Sequence, residues 1–213
     1  MAKVLAAAVL VLTLWAFGTA HASSIVTNGD FTPVPSAGYV TYFCGQPMIG
    51  WTVTDGAANA GSGTGSVDLI GTWFGSSPPG GGGSVDLDGS SFGGITQTLV
   101  TVPNQTYNVT FNLSGNTNGA PSPKVLQVSF GGSSYTVSTA NNAYNGQYTF
   151  ETIQFTATGA STVLSFTSMD TTGGYNGPVI GNVAVSAVPV PPSILLLAPG
   201  LLGLVGMRKR FKA

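Results

Sequence analysis

Two short segments with the same four residues carry three of the seven acidic side chains in the chain. Ser-Val-Asp-Leu occurs at residues 66–69 and again at 84–87, and the acids are Asp68, Asp86 and Asp88. Carboxylates at such spacing can act as the acid–base pair of a glycosidase, as ligands of a metal ion or as acceptors for sugar hydroxyls. Paired strands lie about 4.8 Å apart, so pairing of the two segments in register would bring Asp68 and Asp86 close together.

The other ionisable residues limit the chemistry that these acids can join. His21, the sole histidine, lies near the N-terminus, so Ser-His-Asp and Cys-His catalysis and the usual zinc sites are excluded for residues 23–187. This part holds all seven acids but only one of the six basic residues, Lys124, so it lacks the basic patch that nucleic-acid binding requires. Cys44 has no disulfide partner and is predicted to be a small buried residue.

Aromatic residues in loop-like sequence are the second group of candidates. A sugar presents apolar ring faces to an aromatic side chain while nearby polar groups bind its hydroxyls. Exposed aromatics in Asn- and Gly-rich sequence are therefore glycan-binding candidates, although the same residues can simply anchor their loops. These candidates are Trp73, Phe74, Tyr144, Tyr148 and Tyr175. Trp51, in an alternating segment, is predicted to lie in the core.

Short β-strands are the elements that must position both groups. Alternation of apolar and polar residues indicates strands at 107–115, 125–130, 151–158, 162–168 and 179–185. The glycine-rich run 78–83 is predicted to be a loop between the two Ser-Val-Asp-Leu strands. If Val67 and Val85 face the core, Asp68 and Asp86 face solvent. The spacing of strands and turns predicts an all-β sandwich at residues 23–187.

Several phrases, in their order along the chain, carry a family resemblance. They are IVTNGDF at 25–31, GWTV at 50–53, GSVDLI at 65–70, SVDLDG at 84–89, GGITQTLVTVPNQTYNVTFNLSGN at 93–116, FTATGASTVLSFTS at 155–168 and GPVIGNVAV at 177–185. Their order resembles the choice-of-anchor C family of bacterial surface proteins, and is similar to a domain of plant cell-wall proteins and to galactose-binding-like carbohydrate-binding modules. The resemblance implies a jelly-roll β-sandwich, extracellular exposure and glycan binding.

The same resemblance implies a candidate calcium site. Related jelly rolls hold calcium between an N-terminal Asn-Gly-Asp-Phe-Glu motif and an Asp in the last strand, and Asn28, Asp30 and Asn182 occupy the matching region. Thr32 replaces the Glu of that motif, and Gly181 replaces the late Asp. The alternative is that Asn28 and Asp30 are turn residues. No other cofactor is expected.

The N-terminus has the pattern of a secretory signal peptide. Lys3 precedes an apolar run at 4–17, and Ala20-His21-Ala22 is a small-x-small cleavage site. Residues 1–22 are therefore predicted to be a signal helix that is removed on export.

The C-terminal segment, 188–213, has three parts. A Pro-rich motif (Val188, Pro189, Val190 and Pro191) precedes a short apolar helix predicted at 194–207 and a basic tail at 208–213 that includes Arg208, Lys209 and Arg210. This order resembles the PEP-CTERM sorting signal, with Val190 in place of the usual Glu. The resemblance implies recognition by an exosortase-type sorting protease after insertion in the membrane. The alternative is a tail anchor that is never cut.

Together these features predict an exported, surface-sorted β-sandwich protein of a bacterial envelope or matrix, and not an enzyme. Its expected activity is to bind or organise extracellular polysaccharide. The alternatives are a carboxylate-based glycan-active enzyme and a purely structural matrix protein without a small ligand.

Overall fold

The computed structural model describes residues 23–71 and 77–189, which form two six-stranded antiparallel sheets. The strands in chain order are β1 (Tyr39–Phe43), β2 (Pro47–Met48), β3 (Trp51–Asp55), β4 (Ser66–Ile70), β5 (Ser84–Asp86), β6 (Gly93–Val100), β7 (Thr106–Gly115), β8 (Lys124–Phe130), β9 (Ser133–Thr139), β10 (Thr149–Thr156), β11 (Ser161–Ser168) and β12 (Pro178–Ala187). Sheet 1 has the order β1-β4-β5-β12-β7-β10, and sheet 2 has the order β2-β3-β6-β11-β8-β9. The predicted all-β jelly-roll sandwich is confirmed.

The predicted alternation places apolar side chains between the two sheets. In β7, Tyr107, Val109, Phe111 and Leu113 are all buried, as are the inward residues of β8 and β10. Successive side chains of a strand point to opposite faces, so one apolar face is enough to fix which side of each strand meets the core.

Aromatic rings join the two sheets at the centre of the core. Trp51 of β3 is buried, as predicted, and its ring lies 6.1 Å from that of Phe166 in β11. Phe166 in turn makes an edge-to-face contact with Phe111 across the sandwich, with ring centroids 5.2 Å apart. Each such pair contributes about 0.5–1.5 kcal/mol beyond its buried area, so this cluster fixes the spacing of the sheets.

The two ends of the described chain are tied to sheet 1. Val183 N–H donates to the Gly29 carbonyl at 2.8 Å, and a Cβ at Gly29 would collide with the Val183 carbonyl oxygen. Val188, the first residue of the predicted sorting motif, still donates its N–H to Thr106 O at 2.8 Å. Pro189 is the last described residue, so the rest of that motif, the apolar segment, the basic tail and the signal segment lie outside the described residues.

Cys44 is half-exposed in the turn after β1, so the prediction that it is buried is wrong; its N–H donates to Gly65 O across the end of β4. Within 23–71 and 77–189, no helix is long and apolar enough to cross a membrane.

Candidate functional site

A cleft of about 380 Å³ opens on the outer face of sheet 1, at the end where β4 and β5 meet. Its walls combine aromatic rings, carboxylates, amides and hydroxyls. The residues that matter below are Tyr39, Tyr144 and Tyr175, Asp68 and Asp86, and Asn116, Asn118 and Asn176. Four of the eight glycan-binding candidates from the sequence therefore line one cavity: Asp68, Asp86, Tyr144 and Tyr175.

The floor of the cleft is a row of side chains that crosses neighbouring strands. Thr41 of β1 pairs with Asp68 of β4, and Asp68 pairs with Asp86 of β5, so the predicted register of the two Ser-Val-Asp-Leu segments is confirmed. Val67 and Val85 are fully buried on the opposite face, also as predicted. The pleat therefore directs both carboxyl groups to the same outer face.

Asp68 is the accessible carboxyl group of this row. Its Oδ1 accepts a hydrogen bond of 2.6 Å from the Thr41 hydroxyl, which holds the carboxyl group in place. Partial burial raises the pKa of Asp68, while the bond from Thr41 opposes that increase. The side chain thus offers an oriented hydrogen-bond acceptor at the floor of the cleft.

Asp86 is buried, with 1 % of its surface exposed, so the prediction that it faces solvent is wrong. Two loops from distant parts of the chain cover the outer face of β5. Asp86 Oδ2 accepts from the Asn116 amide at 2.8 Å, and Oδ1 accepts from the N–H groups of Asp88 and Gly177 at 3.0 and 2.9 Å. Burial raises the pKa of Asp86 to about 8, and the negative charge of Asp88 adds to the increase. The three hydrogen bonds that Asp86 accepts link β5, in the floor of the cleft, to the loops that form its walls.

A buried polar cluster lies behind Asp86. Asp88 is fully buried and does not line the cleft; a Cβ at Gly177 would come within 2.6 Å of its carboxyl carbon. Burial raises its pKa to about 7, and Asp170 adds to the increase, although the nearby Ser168 hydroxyl opposes it. Neither oxygen of Asp88 accepts a hydrogen bond of good geometry.

Lys124 is the cation of this cluster, and it is 1 % exposed. Its Nζ donates to the carbonyl oxygens of Gly119, at 2.8 Å, and of Asn176. These carbonyls belong to the β7–β8 and β11–β12 loops, which form one wall of the cleft. Burial lowers the pKa of Lys124, and the surrounding carboxylates of Asp170, Asp86 and Asp88 oppose that decrease. Lys124 therefore ties the two loops together from inside.

Tyr144 forms the opposite wall. It lies in a 3-10 helix, Ala143–Asn145. The preceding residue, Asn142, caps this helix, and its side-chain oxygen accepts a hydrogen bond from Tyr144 N–H at 3.1 Å. Gly146 ends this turn in the left-handed conformation, with φ of 66°. Burial and the negative charges of Asp86 and Asp68 raise the pKa of Tyr144 to about 12, so its phenol stays protonated at physiological pH.

Tyr39 and Tyr175 stand at the rim of the cleft. Their side chains are 54 % and 69 % exposed. Tyr148, another candidate from the sequence, is half-buried and does not line the cleft; burial raises its pKa to about 12. Trp73 and Phe74 lie outside the described residues.

Sequence reasoning missed several lining residues. Tyr39 and Thr41 alternate in Tyr-Val-Thr-Tyr-Phe, and only the pairing of β1 with β4 reveals that they share the outer face with Asp68. Asn116 and Asn118 follow β7 in an Asn- and Gly-rich run that resembles any polar loop. An excess of asparagine just after a long strand was the one available signal.

The side chains of the three residues of the predicted calcium site hydrogen-bond to other residues of the protein. Asn28 Oδ1 accepts from Thr32 N–H at 2.9 Å, and both oxygens of Asp30 accept from the Thr32 hydroxyl at 3.1 Å. Asn182 directs its NH₂ group to Pro79 O and Asn112 Oδ1. Among the described residues, no three His, Cys, Asp or Glu side chains are grouped so that they could hold a metal ion. The calcium site stays a prediction.

A second concavity, of about 590 Å³, lies where β6 meets β3, the β2–β3 turn and the N-terminal segment. Its surface comes from threonines, Gln97 and small apolar residues, with neither a charged nor an aromatic side chain among them. It is larger than the cleft of sheet 1, but it lacks rings and acids.

A family model described as "Protein of unknown function (DUF642)" matches residues 24–186 of this chain. Among curated proteins there is no match.

Solved structures similar to the chain include three glycan-related proteins. A family 35 carbohydrate-binding module from Clostridium thermocellum is 13 % identical, with 70 % of this chain and 98 % of that chain covered and a TM-score of 0.43. The corresponding module from Paenibacillus barcinonensis is 18 % identical, with 70 % and 99 % covered and a TM-score of 0.41. An exo-β-1,3-galactanase from Phanerochaete chrysosporium is 15 % identical, with 70 % and 29 % covered and a TM-score of 0.41. All three likenesses are remote.

Proposed function

The chain belongs to the DUF642 family, and we propose that it is an exported, non-catalytic β-sandwich protein that binds extracellular polysaccharide through the cleft of sheet 1. The observation that carries this proposal is the composition of the cleft. Tyrosine rings at its rim surround a floor of oriented hydrogen-bond acceptors and amides. Aromatic surface for the sugar ring and placed polar groups for its hydroxyls are the two requirements of a sugar site.

The cleft is also held in shape without a ligand. Asp86 fixes Asn116 and Gly177, and Lys124 fixes the carbonyls of Gly119 and Asn176. A binding surface that is already ordered loses little conformational entropy when it takes a ligand. This matters for sugars, whose many weak hydrogen bonds replace bonds to water with little net gain.

A glycosidase mechanism fits the cleft less well. It needs two carboxyl groups that both reach the glycosidic bond, one of them as a proton donor. Both acids border the cleft, but the carboxyl group of Asp86 is buried and its oxygens accept three N–H bonds. Since the second group has no access to substrate, the two acids do not make a catalytic pair, and we propose binding without hydrolysis.

Export and sorting are part of the same proposal. The signal-like segment 1–22 and the PEP-CTERM-like segment 188–213 support a protein that leaves the cytoplasm and is presented at the surface of a bacterial envelope or in its matrix. An exosortase-type protease is the proposed processing partner, and the membrane is the proposed site of the uncut protein. Mass spectrometry of the mature C-terminus tests this part: an intact 188–213 segment in cells that contain the protease would contradict it.

The binding function is tested on a glycan array with the full-length protein. We expect retention on at least one polysaccharide class, and we expect Tyr175→Ala to weaken it about tenfold because the exposed ring is a stacking surface. Tyr135→Ala is the matched control, because Tyr135 is 56 % exposed but lies on β9 of the other sheet.

Three outcomes separate the alternatives. Equal loss of binding in both tyrosine variants would indicate that the binding site lies outside the cleft. Release of new reducing ends from a bound polysaccharide, abolished by Asp68→Asn, would favour the enzyme. Absence of binding to every glycan would favour the structural matrix protein.

A further inference from the structure

Asp68 is a half-buried carboxylate, and the described residues that line the cleft around it carry no positive charge. Its Oδ1 accepts the Thr41 hydroxyl, and no hydrogen bond to Oδ2 occurs among the described residues. A partly desolvated carboxylate gains more from a nearby cation than from a neutral partner, because screening by water is weaker there.

The described residues supply no such cation to the cleft. In the described ranges 23–71 and 77–189 the single Lys, Arg or His residue is Lys124, and its ammonium group is directed to Gly119 O and Asn176 O behind the cleft wall. The same ranges contain all seven acids of the chain, of which the buried Asp86 and Asp88 hold protons in mildly acidic solution. A narrow cavity in such a protein concentrates negative potential, which attracts cationic ligands and repels anionic ones.

The aromatic residues of the walls also favour a positively charged ligand. Tyr39, Tyr144 and Tyr175 line the cleft around Asp68. The face of a tyrosine ring carries negative charge density and attracts an ammonium group within about 6 Å. Rings and carboxylate together therefore favour a positively charged group on the ligand.

We propose that the cleft selects sugars by charge: it prefers glycans that carry free amino groups, such as de-N-acetylated hexosamine polymers, over neutral glycans, and it binds uronates and sulfated sugars more weakly than either. This inference rests on the proposed function, since it assumes that the cleft binds a glycan. Asp68 is the residue that contacts the amino group, and the tyrosines enclose it.

Three oligosaccharides of equal length test the proposal with the full-length protein in mildly acidic buffer. They are a glucosamine hexamer, its fully N-acetylated form and a galacturonate hexamer. We expect the amino form to bind about tenfold more tightly than the acetylated form, and the galacturonate form to bind more weakly than either. Added salt should weaken binding of the amino form most, because its advantage is electrostatic.

Two variants assign the preference to Asp68. Asp68→Asn keeps the size of the side chain and removes its charge, so the ratio between amino and acetylated forms should fall toward one. Glu151→Gln removes the same charge at a half-exposed residue of β10 outside the cleft, and should leave the ratio unchanged.

The outcomes distinguish this inference from the proposed function. Equal binding of amino and acetylated forms, tighter binding of galacturonate, or an unchanged ratio in Asp68→Asn overturns the charge selection while leaving glycan binding in place. Failure of all three sugars, together with no retention on the array, overturns both.

Discussion

Asp88, buried behind the cleft, should make the stability of the protein fall as the pH rises. Burial raises its pKa to about 7 in the folded state, whereas an aspartate in an unfolded chain has a pKa of about 3.9. Between about pH 4 and 7 the folded protein therefore holds one more proton than the unfolded chain. One proton of difference changes the free energy of unfolding by about 1.4 kcal/mol per pH unit, so Asp88 should lower it by about 4 kcal/mol across this interval.

Asp88→Asn removes this titration with little change in volume. We expect the variant to match the wild type near pH 4 and to be more stable by a few kcal/mol near pH 8, where the wild type holds a charged Asp88 without hydrogen bonds of good geometry. Asp86 has a pKa of about 8 for the same reason, so part of the decrease with pH should persist in the variant.

Urea unfolding at a series of pH values, followed by tryptophan fluorescence, measures the effect. Asp55→Asn is a control of opposite sign, because the N–H groups of Gly63 and Gly65 lower the pKa of Asp55. That contribution is present at neutral pH and is lost as the pH falls through the folded pKa, so Asp55→Asn should destabilise only above that value. A wild type whose stability rises from pH 5 to 8, or an Asp88→Asn protein with the full wild-type slope, would refute the reasoning.

Two further substitutions examine the supports of the cleft and the attachment of the N-terminal segment. Lys124→Met removes two charged hydrogen bonds to Gly119 O and Asn176 O, and should cost about 3 kcal/mol, seen as a melting temperature lower by about 10 °C. Gly29→Ala places a methyl group against the Val183 carbonyl, and should cost more than about 2 kcal/mol in urea unfolding because the backbone must move.

Each of these has an outcome that would contradict it. Lys124→Met with an unchanged melting temperature would mean that the two loops are held by other contacts. A Gly29→Ala protein as stable as the wild type would mean that the N-terminal segment leaves β12 at little cost.

Local patterns were sufficient to predict the sandwich. Alternation in β7 and β8 identifies their core faces, because the pleat of a strand has a period of two that no distant contact changes. The two Ser-Val-Asp-Leu segments also behave as the pattern indicates, with Val67 and Val85 inward and Asp68 opposite Asp86.

The extent to which each outward-facing side chain is buried could not be predicted from these local patterns. Asp86 follows the same alternation as Asp68, yet it is buried because Asn116 and Gly177, 30 and 91 residues further along the chain, cover it. Tyr39 has no local feature that distinguishes it from other exposed aromatics, and its role depends on which strand β1 pairs with. Cover by loops and order of strands are tertiary properties, whereas periodicity is local.

The burial of Lys124 has a practical consequence for following the protein in solution. Between Lys3 and the basic tail that begins at Arg208, it is the single position at which trypsin can cleave. Cleavage there requires the side chain to leave Gly119 O and Asn176 O, so the folded protein should resist the protease. When reclosing is faster than cleavage, the rate of this one cut reports the fraction of molecules in which the wall of the cleft is open. A bound ligand that holds the wall closed should slow this cleavage. The rate of cleavage after Lys124 therefore provides a label-free assay for ligand binding.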